Sequence, residues 1–521
     1  MLLTAKNLKI SFKQDEGCVE AVRGIDFGIN ANEVLGLVGE SGSGKTVTAL
    51  SLMRLLSGKN CAVDGAINFG GKNLLTASNK EILRIRGSDI AMIFQEPFTS
   101  LNPVLRVGEQ IDEAVLAHKK ISKKDAKAET FCLLEKVKIS DQERIYDSYP
   151  HLLSGGERQR VMIAMAVSLG PRLLIADEPT TALDVTIQAG ILELILNLKK
   201  ELNMAVLFIT HDFGIVNKIA DRILVMKEGR IVESGNKAEI LSSPKEEYTK
   251  KLLDAVPKLP AQAPAGPVPS GCPAVIEVKH LNKSFSVEKG IFQKEKGRVY
   301  ASRNINLEIK EGKTLGLVGE SGSGKTTLGK LLIGLLKADS GEIKSRTPES
   351  MQIVFQDPYS SLDPRMRMQD IVLEGLTIRG AGRSERESAL REVLFKVHLS
   401  YNDRLKYPHQ FSGGERQRIA IARALAVKPK ILILDEPVSS LDVIIQKEIL
   451  TLLKELQKEL FLTYVFISHD LRVVAHMADE VAVMKDGEIV ELAPRQDIYA
   501  HPQHPYTKKL LSSGDWGRGI S

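Results

Sequence analysis

The segment VLGLVGESGSGKT, residues 34–46, decides the fold of this chain. An apolar run suited to a buried strand leads into G-x-x-x-x-G-K-[ST], from Gly39 to Thr46, and a helical stretch follows. Glycines at these positions let backbone N–H groups curl around phosphate oxygens, and the N-terminus of the following helix attracts negative charge. The segment therefore predicts a strand–loop–helix unit that binds phosphate groups.

The same segment recurs as TLGLVGESGSGKT at residues 314–326, so the chain contains an internal repeat. The motif SGGERQR is present at residues 154–160 and again at residues 412–418. The loop lysines, Lys45 and Lys325, are 280 positions apart, whereas the later motifs are 258 positions apart. The second copy is therefore 22 residues shorter, and the difference lies between the lysine loop and SGGERQR.

Two tandem domains account for the length of the chain, because 521 residues exceed what one hydrophobic core supports. The Pro- and Ala-rich segment PKLPAQAPAGPVPSGCPA between the copies is typical of a semi-extended linker. We expect a first domain at residues 1–256, a linker at 257–273 and a second domain at 274–521. Short apolar runs such as LLIAD and AVLFIT alternate with helical stretches, which predicts an α/β fold on buried parallel strands.

Two acidic residues end an apolar strand in each copy, in LLIADEP and ILILDEP. The first would hold Mg²⁺, partly through water, and the second would act as general base on the attacking water. A helix-capping or surface role is the alternative, and the phosphate loop in the same copy argues against it. The Mg²⁺ residues are then Asp177 and Asp435, and the bases are Glu178 and Glu436.

In each copy a histidine followed by aspartate ends another apolar strand. A single histidine there is more often structural, but the matched positions of His211 and His469 favour a sensor of the γ-phosphate. The phosphate loops themselves would contact the nucleotide, with the lysine on the β- and γ-phosphates and the threonine on Mg²⁺. The loop residues are Gly39, Glu40, Ser41, Gly42, Ser43, Gly44, Lys45 and Thr46, and Gly319, Glu320, Ser321, Gly322, Ser323, Gly324, Lys325 and Thr326.

SGGERQR starts a predicted helix in each copy. Ser154 with Glu157, and Ser412 with Glu415, match the S-x-x-E capping box, so a purely structural role is the alternative. An exposed helix N-terminus with serine and glycine N–H groups is also an anion site.

These motifs together resemble the ABC ATPase family, in family order and twice over nearly the whole chain. The resemblance implies two P-loop NTPase domains, each a RecA-like α/β core with an antiparallel β subdomain and an α-helical subdomain. Glutamate replaces the last residue of the usual LSGGQ signature in both copies, which casts little doubt on activity. The resemblance also implies loop glutamines that touch Mg²⁺ and the water, D-loop aspartates between the sites, and an aromatic on adenine. These are Gln95 and Gln356, Asp184 and Asp442, and Phe12 and Phe285.

For the two phenylalanines, packing in the core is an equal alternative. In this family two domains face each other head to tail, so ATP with Mg²⁺ lies between the phosphate loop of one and the signature of the other. The signature residues would be Ser154, Gly155, Gly156, Ser412, Gly413 and Gly414.

The segments FQEPFTSLNPVLRVGEQI and FQDPYSSLDPRMRMQDIV, and the tails SPKEEYTKKLL and HPQHPYTKKLL, resemble the peptide-importer branch. The fused arrangement is similar to the ATPases of microcin C and glutathione importers. The resemblance implies two integral-membrane permease subunits as partners and, through them, a solute-binding protein. Helical subdomains at about 97–152 and 358–411 would receive the permeases. Candidate groove residues, for which internal packing is an equal alternative, are Phe98, Leu101, Tyr359 and Leu362.

Composition limits other functions. A net charge of +6 over this length does not indicate nucleic acid, and no apolar run approaches the ~20 residues that span a bilayer. The N-terminal segment lacks a signal-peptide pattern, so we expect a peripheral protein at the cytoplasmic face of the bacterial inner membrane. The four cysteines form no CxxC pair, and only Cys272 lies near the linker, so neither zinc nor the iron–sulfur cluster of some relatives is expected.

Other functions remain as alternatives. The nearest is import of nickel or another small solute. A soluble double-ABC protein acting on ribosomes would carry a long charged linker, one acting on DNA would carry zinc modules, and a non-catalytic module conflicts with the intact lysines and bases. The sequence leaves open the cargo, the permeases, and whether the two sites hydrolyse ATP equally.

Overall fold

The chain folds into two lobes of the same architecture. The computed structural model describes residues 1–14, 17–56, 58, 60–95, 100–181, 183–256, 273–288, 296–439 and 441–513. Lobe one is the described part up to residue 256, and lobe two is the described part from residue 273. Nearly all of the predicted linker, together with Cys272, lies outside the described residues.

Lobe one contains a small antiparallel sheet and a larger sheet. Its strands are β1 (Leu3–Gln14), β2 (Gly17–Ile29), β3 (Val34–Val38), β4 (Cys61–Phe69), β5 (Lys72–Asn73), β6 (Ile90–Ile93), β7 (Leu173–Asp177), β8 (Ala205–Thr210), β9 (Arg222–Lys227) and β10 (Arg230–Asn236). The small sheet has the order β2-β1-β4-β5, and the larger sheet has the order β10-β9-β3-β8-β7-β6. In the larger sheet β9, β3, β8, β7 and β6 run parallel, and β10 pairs antiparallel with β9.

The central parallel strands are buried along their whole length. Every residue of β3, β7 and β8 is buried, which explains why these strands read as continuous apolar runs. Their carboxyl ends meet at one edge of the sheet, and the loops that carry the candidate site residues start there. The prediction of an α/β core on parallel strands is confirmed.

Helices cover the larger sheet and form a separate helical subdomain. Those of lobe one are α1 (Lys45–Leu52), α2 (Asn79–Ile85), α3 (Val107–Leu116), α4 (Lys123–Lys136), α5 (Gln142–Asp147), α6 (Gly155–Val167), α7 (Val185–Leu202), α8 (Phe213–Ile219), α9 (Lys237–Ser242) and α10 (Glu247–Ala255). The subdomain of α3, α4 and α5 packs on α6 through a core that includes Val107, Ile111, Leu134 and Val161.

Lobe two repeats this plan. Its strands are β11 (Ala274–Glu288), β12 (Lys296–Lys310), β13 (Thr314–Val318), β14 (Ser340–Ser345), β15 (Met351–Val354), β16 (Ile431–Asp435), β17 (Thr463–Ser468), β18 (Glu480–Lys485) and β19 (Glu488–Pro494). They form sheets of order β12-β11-β14 and β15-β16-β17-β13-β18-β19. Its helices are α11 (Lys325–Leu332), α12 (Pro358–Ser361), α13 (Met368–Ile378), α14 (Arg383–Lys396), α15 (Gly413–Leu425), α16 (Val443–Leu460), α17 (Leu471–Met477), α18 (Arg495–Ala500) and α19 (Pro505–Ser513). Single 3-10 turns are at Pro150–Leu152, Pro348–Ser350, Tyr401–Leu405 and Pro408–Gln410.

The two lobes contact each other through the helices that end each lobe. Helix α10 of lobe one packs against α16 of lobe two, and α19 of lobe two packs against α7 of lobe one. Val443 of lobe two is buried in an apolar cluster whose other members, including Val256, belong to lobe one. The apolar burial stabilises this contact, because it removes surface of both lobes from water.

Candidate functional site

The phosphate loops join β3 to α1 and β13 to α11, where only glycine fits at certain positions. Gly44 has φ 102°, a conformation that side chains rarely adopt, and a Cβ there would lie 2.6 Å from the carbonyl oxygen of Ala21. Gly324 is equivalent, with φ 103° and 1.9 Å to the carbonyl oxygen of Ala301. The small sheet therefore packs directly under each loop, and this contact requires glycine at Gly44 and Gly324.

The loop lysines are buried and lie within their own loops. Nζ of Lys45 donates to the carbonyl oxygens of Gly39 and Glu40, both at 2.7 Å. Lys325 makes the equivalent bonds at 2.8 Å. Burial lowers the pKa of both lysines, while nearby carboxylates, Glu178 foremost for Lys45 and Glu436 for Lys325, favour the charged form. Each ammonium is thus held over the loop, where phosphate oxygens could replace the carbonyl partners.

Hard oxygen ligands suited to Mg²⁺ lie beside each loop. Oγ1 of Thr46 donates to Oδ1 of Asp177 at 3.3 Å, and Thr326 donates to Asp435 at 3.1 Å. Burial raises the pKa of Asp177 to about 6 and raises that of Asp435. A hydroxyl and a carboxylate next to a phosphate site are a donor set that Mg²⁺ takes together with phosphate oxygens and water. The residues fit the ion.

The predicted base of lobe one is surrounded by the other predicted catalytic residues. Oε2 of Glu178 accepts from Nε2 of Gln95 at 3.3 Å, and Oε1 lies 3.3 Å from Nδ1 of His211. Burial alone would raise the pKa of Glu178, but the hydrogen bond and charge of His211 outweigh it and lower the pKa to about 2. The same contact raises the pKa of His211, although burial opposes it. Glu178 is therefore an ionised carboxylate aimed into a mostly buried site.

Lobe two assembles the same group. Nε2 of Gln356 donates to Oε2 of Glu436 at 2.9 Å, and Nδ1 of His469 lies 3.1 Å from the same oxygen. Both glutamates have positive φ, 45° at Glu178 and 47° at Glu436, which is uncommon for a residue with a side chain. Backbone strain at the same position of both lobes is typical of functional residues.

The signature helices begin as the capping box predicts. The N–H of Ser154 donates to Oε2 of Glu157 at 2.8 Å, and the N–H of Glu157 donates to Oγ of Ser154 at 3.3 Å. Ser412 and Glu415 make the same bonds at the same distances. Ser154 and Ser412 therefore do cap their helices. Both serines are also exposed at the helix N-terminus. Glutamate at the last signature position serves as the partner in the cap.

The D-loop aspartates differ between the lobes. Oδ1 of Asp184 accepts from the backbone N–H of Ser321, in the phosphate loop of lobe two, at 2.7 Å. Asp442 instead caps its own helix by accepting from the N–H of Ile445 at 3.1 Å. The first contact brings the D-loop of one lobe onto the phosphate loop of the other.

Sequence reasoning did not identify Arg472, which joins the lobes next to both histidines. Its guanidinium Nη2 lies 2.8 Å from Oδ2 of Asp470 and 3.2 Å from Oδ2 of Asp212. These aspartates directly follow His469 and His211. The position equivalent to Arg472 in the first copy is Gly214, so the repeat offered no signal for it.

Sequence reasoning also missed three hydroxyl groups at the site. Oγ1 of Thr181 donates to Oε2 of Glu178 at 2.9 Å. The hydroxyl of Tyr248 accepts from the N–H of Glu40 at 3.2 Å, and that of Tyr506 accepts from the N–H of Glu320 at 3.1 Å. The tyrosines were detectable, because both lie in the repeated YTKKLL with the 258-residue offset.

The residues predicted to stack on adenine and those predicted to line the permease grooves differ in how deeply they are buried. Phe285 is 42% exposed, with Nζ of Lys283 5.6 Å from its ring centroid, and Phe12 is partly buried against the core of lobe one. Leu101 and Leu362 are buried in their own lobes, so internal packing replaces the groove role for these two. Tyr359 is 61% exposed, and Phe98 lies outside the described residues.

The part of the chain that the structure describes contains neither a metal-type cluster nor a membrane-spanning helix. No cluster of His, Cys, Asp and Glu there has the arrangement of a metal site, and Cys18, Cys61 and Cys132 are free thiols. Across the same ranges, no helix combines the length and apolarity needed to cross a bilayer.

The family model "ABC transporter" matches residues 22–181 and 302–439. The chain belongs to the ABC transporter family, as a protein with two ATP-binding domains of that family. A second model, "Oligopeptide/dipeptide transporter, C-terminal region", matches residues 232–280 and 490–514, which places the chain among the ATP-binding proteins of peptide-type transporters.

Relatives cover nearly the whole chain. The glutathione import ATP-binding protein GsiA of Pectobacterium atrosepticum is 43% identical over 98% of this chain and 89% of its own length. GsiA of Escherichia coli strain K12 is 44% identical, with the same coverage. A crystal structure of archaeal ribosomal stalk protein aP1 with ribosome recycling factor aABCE1 matches 92% of this chain and 88% of that chain, with a TM-score of 0.60 and 20% identity. That last likeness shows the shared fold alone. The predictions of the family, of its two-domain fold and of a transport ATPase are confirmed.

Proposed function

We propose that the chain binds two ATP molecules with Mg²⁺ and hydrolyses them to energise a membrane importer of peptides or peptide-like compounds. One observation carries this proposal: lysine, threonine, two carboxylates, glutamine and histidine come together twice, each time at the C-terminal ends of parallel strands. The match to the oligopeptide/dipeptide transporter region supports the transport role.

The chemistry assigned to each residue follows from its contacts. The lysine would exchange its carbonyl partners for the β- and γ-phosphates, and threonine with aspartate would hold the ion. Mg²⁺, when bound, supplies positive charge to the phosphate oxygens. Glu178, ionised beside His211, accepts a proton from the attacking water, and Gln95 orients that water. Glu436, His469 and Gln356 act likewise in lobe two.

Each ATP is proposed to lie between the phosphate loop of one lobe and the signature helix of the other. The bond from the N–H of Ser321 to Asp184 supports this head-to-tail arrangement, since it joins loops of opposite lobes. ATP would stabilise the closed pair and hydrolysis would release it, as in a two-state element biased by a ligand. The proposed domain limits are 1–256 and 274–521, and a linker between them keeps the lobes at high effective concentration.

The proposed partners are two integral-membrane permeases and, through them, a solute-binding protein. The chain would then work as a peripheral subunit at the cytoplasmic face of the bacterial inner membrane. The relatives are named for import of glutathione, which is a tripeptide, so a small peptide or peptide-like compound is the proposed class of cargo.

Reconstitution tests the proposal. The chain, purified with its membrane partners, is placed in proteoliposomes, and phosphate release is measured with and without a peptide-loaded binding protein. We expect two permeases to co-purify and the loaded binding protein to stimulate hydrolysis. Lys45→Ala with Lys325→Ala should abolish that stimulation. Recovery of ribosomal proteins instead of permeases, or stimulation by a nickel-loaded binding protein only, would contradict the proposal.

A further inference from the structure

The tail of each lobe returns to the phosphate loop of the same lobe. Tail one is residues 245–256 and tail two is residues 503–513. Tyr248 and Tyr506 are nearly buried, and each hydroxyl accepts a hydrogen bond from the backbone N–H of the second loop residue, Glu40 or Glu320. The contact forms twice, at equivalent positions of two independent copies, so it is a feature of the fold and not of one loop.

The carboxylate of a glutamate on the last strand fixes where each tail begins. Glu233 on β10 accepts from the N–H groups of Lys245, at 2.8 Å, and Glu246, at 3.3 Å. Glu491 on β19 accepts from the N–H groups of Gln503 and His504, at 2.8 and 3.0 Å. The bonds to a charged acceptor are strong, and they hold the tyrosine two or three residues further on in register with the loop.

The same tails carry the contact between lobes. Helix α10, which contains Tyr248, packs against α16 of lobe two, and α19, which contains Tyr506, packs against α7 of lobe one. Leu252 of tail one and Val443 of lobe two share one apolar cluster, and Ile444 packs against it. Nζ of Lys447 donates to the carbonyl oxygen of Asp254 at 3.2 Å. Helices α7 and α16 are the helices that follow the D-loops.

The same loop glutamate is hydrogen-bonded to both the tail tyrosine and the loop lysine. The N–H of Glu40 donates to Tyr248, while its carbonyl oxygen accepts from Nζ of Lys45 at 2.7 Å. In lobe two, Glu320 links Tyr506 to Lys325, and the next N–H, that of Ser321, is bound by Asp184. In lobe two, the tail, the phosphate loop and the opposite lobe therefore meet at two consecutive peptide groups.

We propose that Tyr248 and Tyr506 are positioning residues for ATP, through which the docking of each tail on the opposite lobe sets the nucleotide affinity of its own phosphate loop. The inference rests on the proposed ATP sites. In the sequence, the YTKKLL tail indicates only the peptide-importer branch. The proposed role adds that this tail takes part in communication between the lobes. If the tails served packing alone, loss of the hydroxyl would leave nucleotide affinity unchanged, because phenylalanine keeps the ring.

The test isolates one site and removes one oxygen atom. In full-length protein carrying Lys325→Ala, the Kd of fluorescent mant-ATP reports the loop of lobe one. Adding Tyr248→Phe should raise that Kd about fivefold to tenfold, the factor that an ordinary hydrogen bond is worth. Tyr146→Phe is the matched control, because Tyr146 is also 9% exposed in lobe one and its hydroxyl donates to Asp112 in the helical subdomain. It should change the Kd by less than about twofold.

A second set of variants changes lobe two, and the nucleotide affinity of lobe one is measured. Ile444→Asp and Lys447→Ala alter lobe two only, and both should raise the mant-ATP Kd of lobe one. With both sites intact, Tyr248→Phe with Tyr506→Phe should raise KM for ATP and leave kcat within about twofold, because affinity and not the chemical step is changed.

The outcomes separate this inference from the proposed function. A Kd in Tyr248→Phe within twofold of its parent would overturn the positioning role. Normal Kd values in both Ile444→Asp and Lys447→Ala would overturn the coupling to the opposite lobe. Failure of the Lys325→Ala parent to bind mant-ATP more tightly than Lys45→Ala with Lys325→Ala would overturn the ATP site itself.

Discussion

Replacement of the two proposed bases by glutamine tests the assigned chemistry most directly. Glutamine has the shape of glutamate, so Glu178→Gln keeps the packing around the site and an oxygen for the Thr181 hydroxyl. It cannot accept a proton from water, and it no longer forms an ion pair with His211. Glu436→Gln makes the same change in lobe two, where His469 is the partner.

The expected magnitude follows from the role of a general base. Such a group contributes roughly 10²–10⁴ in rate, which is about 3–5 kcal/mol of barrier. If the sites worked independently, each single variant would keep about half of the turnover. The turnover of the double variant would then fall by the whole factor of roughly 10²–10⁴. The lobes are joined at Asp184–Ser321 and at Arg472, so we expect coupling and a fall below one half in each single variant.

Phosphate release at saturating ATP measures turnover, and mant-ATP titration measures binding. Both variants should bind ATP with a Kd close to that of the unmodified protein, since lysine, threonine and aspartate remain. Glu193→Gln is the control, because Glu193 is exposed and pairs with Lys138 on the surface, away from the phosphate loop. Normal turnover in either single variant would refute the role given to the glutamates.

Three further predictions concern stability, pH and metals. Arg472→Ala leaves Asp212 and Asp470 close together without a cation, which should cost about 3–5 kcal/mol of stability in chemical denaturation. The exposed pair Arg365–Asp363 serves as control, since Arg365→Ala should leave stability nearly unchanged, and equal losses in the two variants would contradict the assignment. Burial alone would raise the pKa of Glu233, but the nearby Thr249 hydroxyl and the hydrogen bonds from the N–H groups of Lys245 and Glu246 lower it. Its contribution to tail docking is therefore present above its ordinary pKa of 4.5 and lost as pH falls through the lowered value, so proteolysis of the tail should increase in acid. Glu233→Gln should show that increased cleavage already at neutral pH, and an unchanged cleavage rate there would contradict the role of the carboxylate. Elemental analysis of the purified protein should find neither iron nor zinc in stoichiometric amount. One iron–sulfur cluster per chain would contradict the prediction that Cys272 binds no cluster.

The sequence by itself determined the repeat, the α/β class and the residues of both phosphate loops. These features are local, because a strand, a glycine loop and a helix cap each depend on neighbours within a few residues. The capping boxes at Ser154 and Ser412 form as their S-x-x-E spacing predicts. The grouping of Glu178, Gln95 and His211 was also implied, since parallel strands deliver their carboxyl ends to one edge.

Only the tertiary structure decided how the two copies meet. Arg472 and Asp212 are 260 positions apart, and Ser321 and Asp184 are 137 apart, so no local pattern relates them. The contact of Tyr248 with Glu40 spans 208 positions, and the repeat could mark the tyrosine but not its partner. Leu101 and Leu362 pack inward because helical subdomains bury apolar residues that the sequence could equally place in a groove. Contacts of this kind depend on the packing of whole lobes, which is set by shape and buried area and not by the order of residues along one segment.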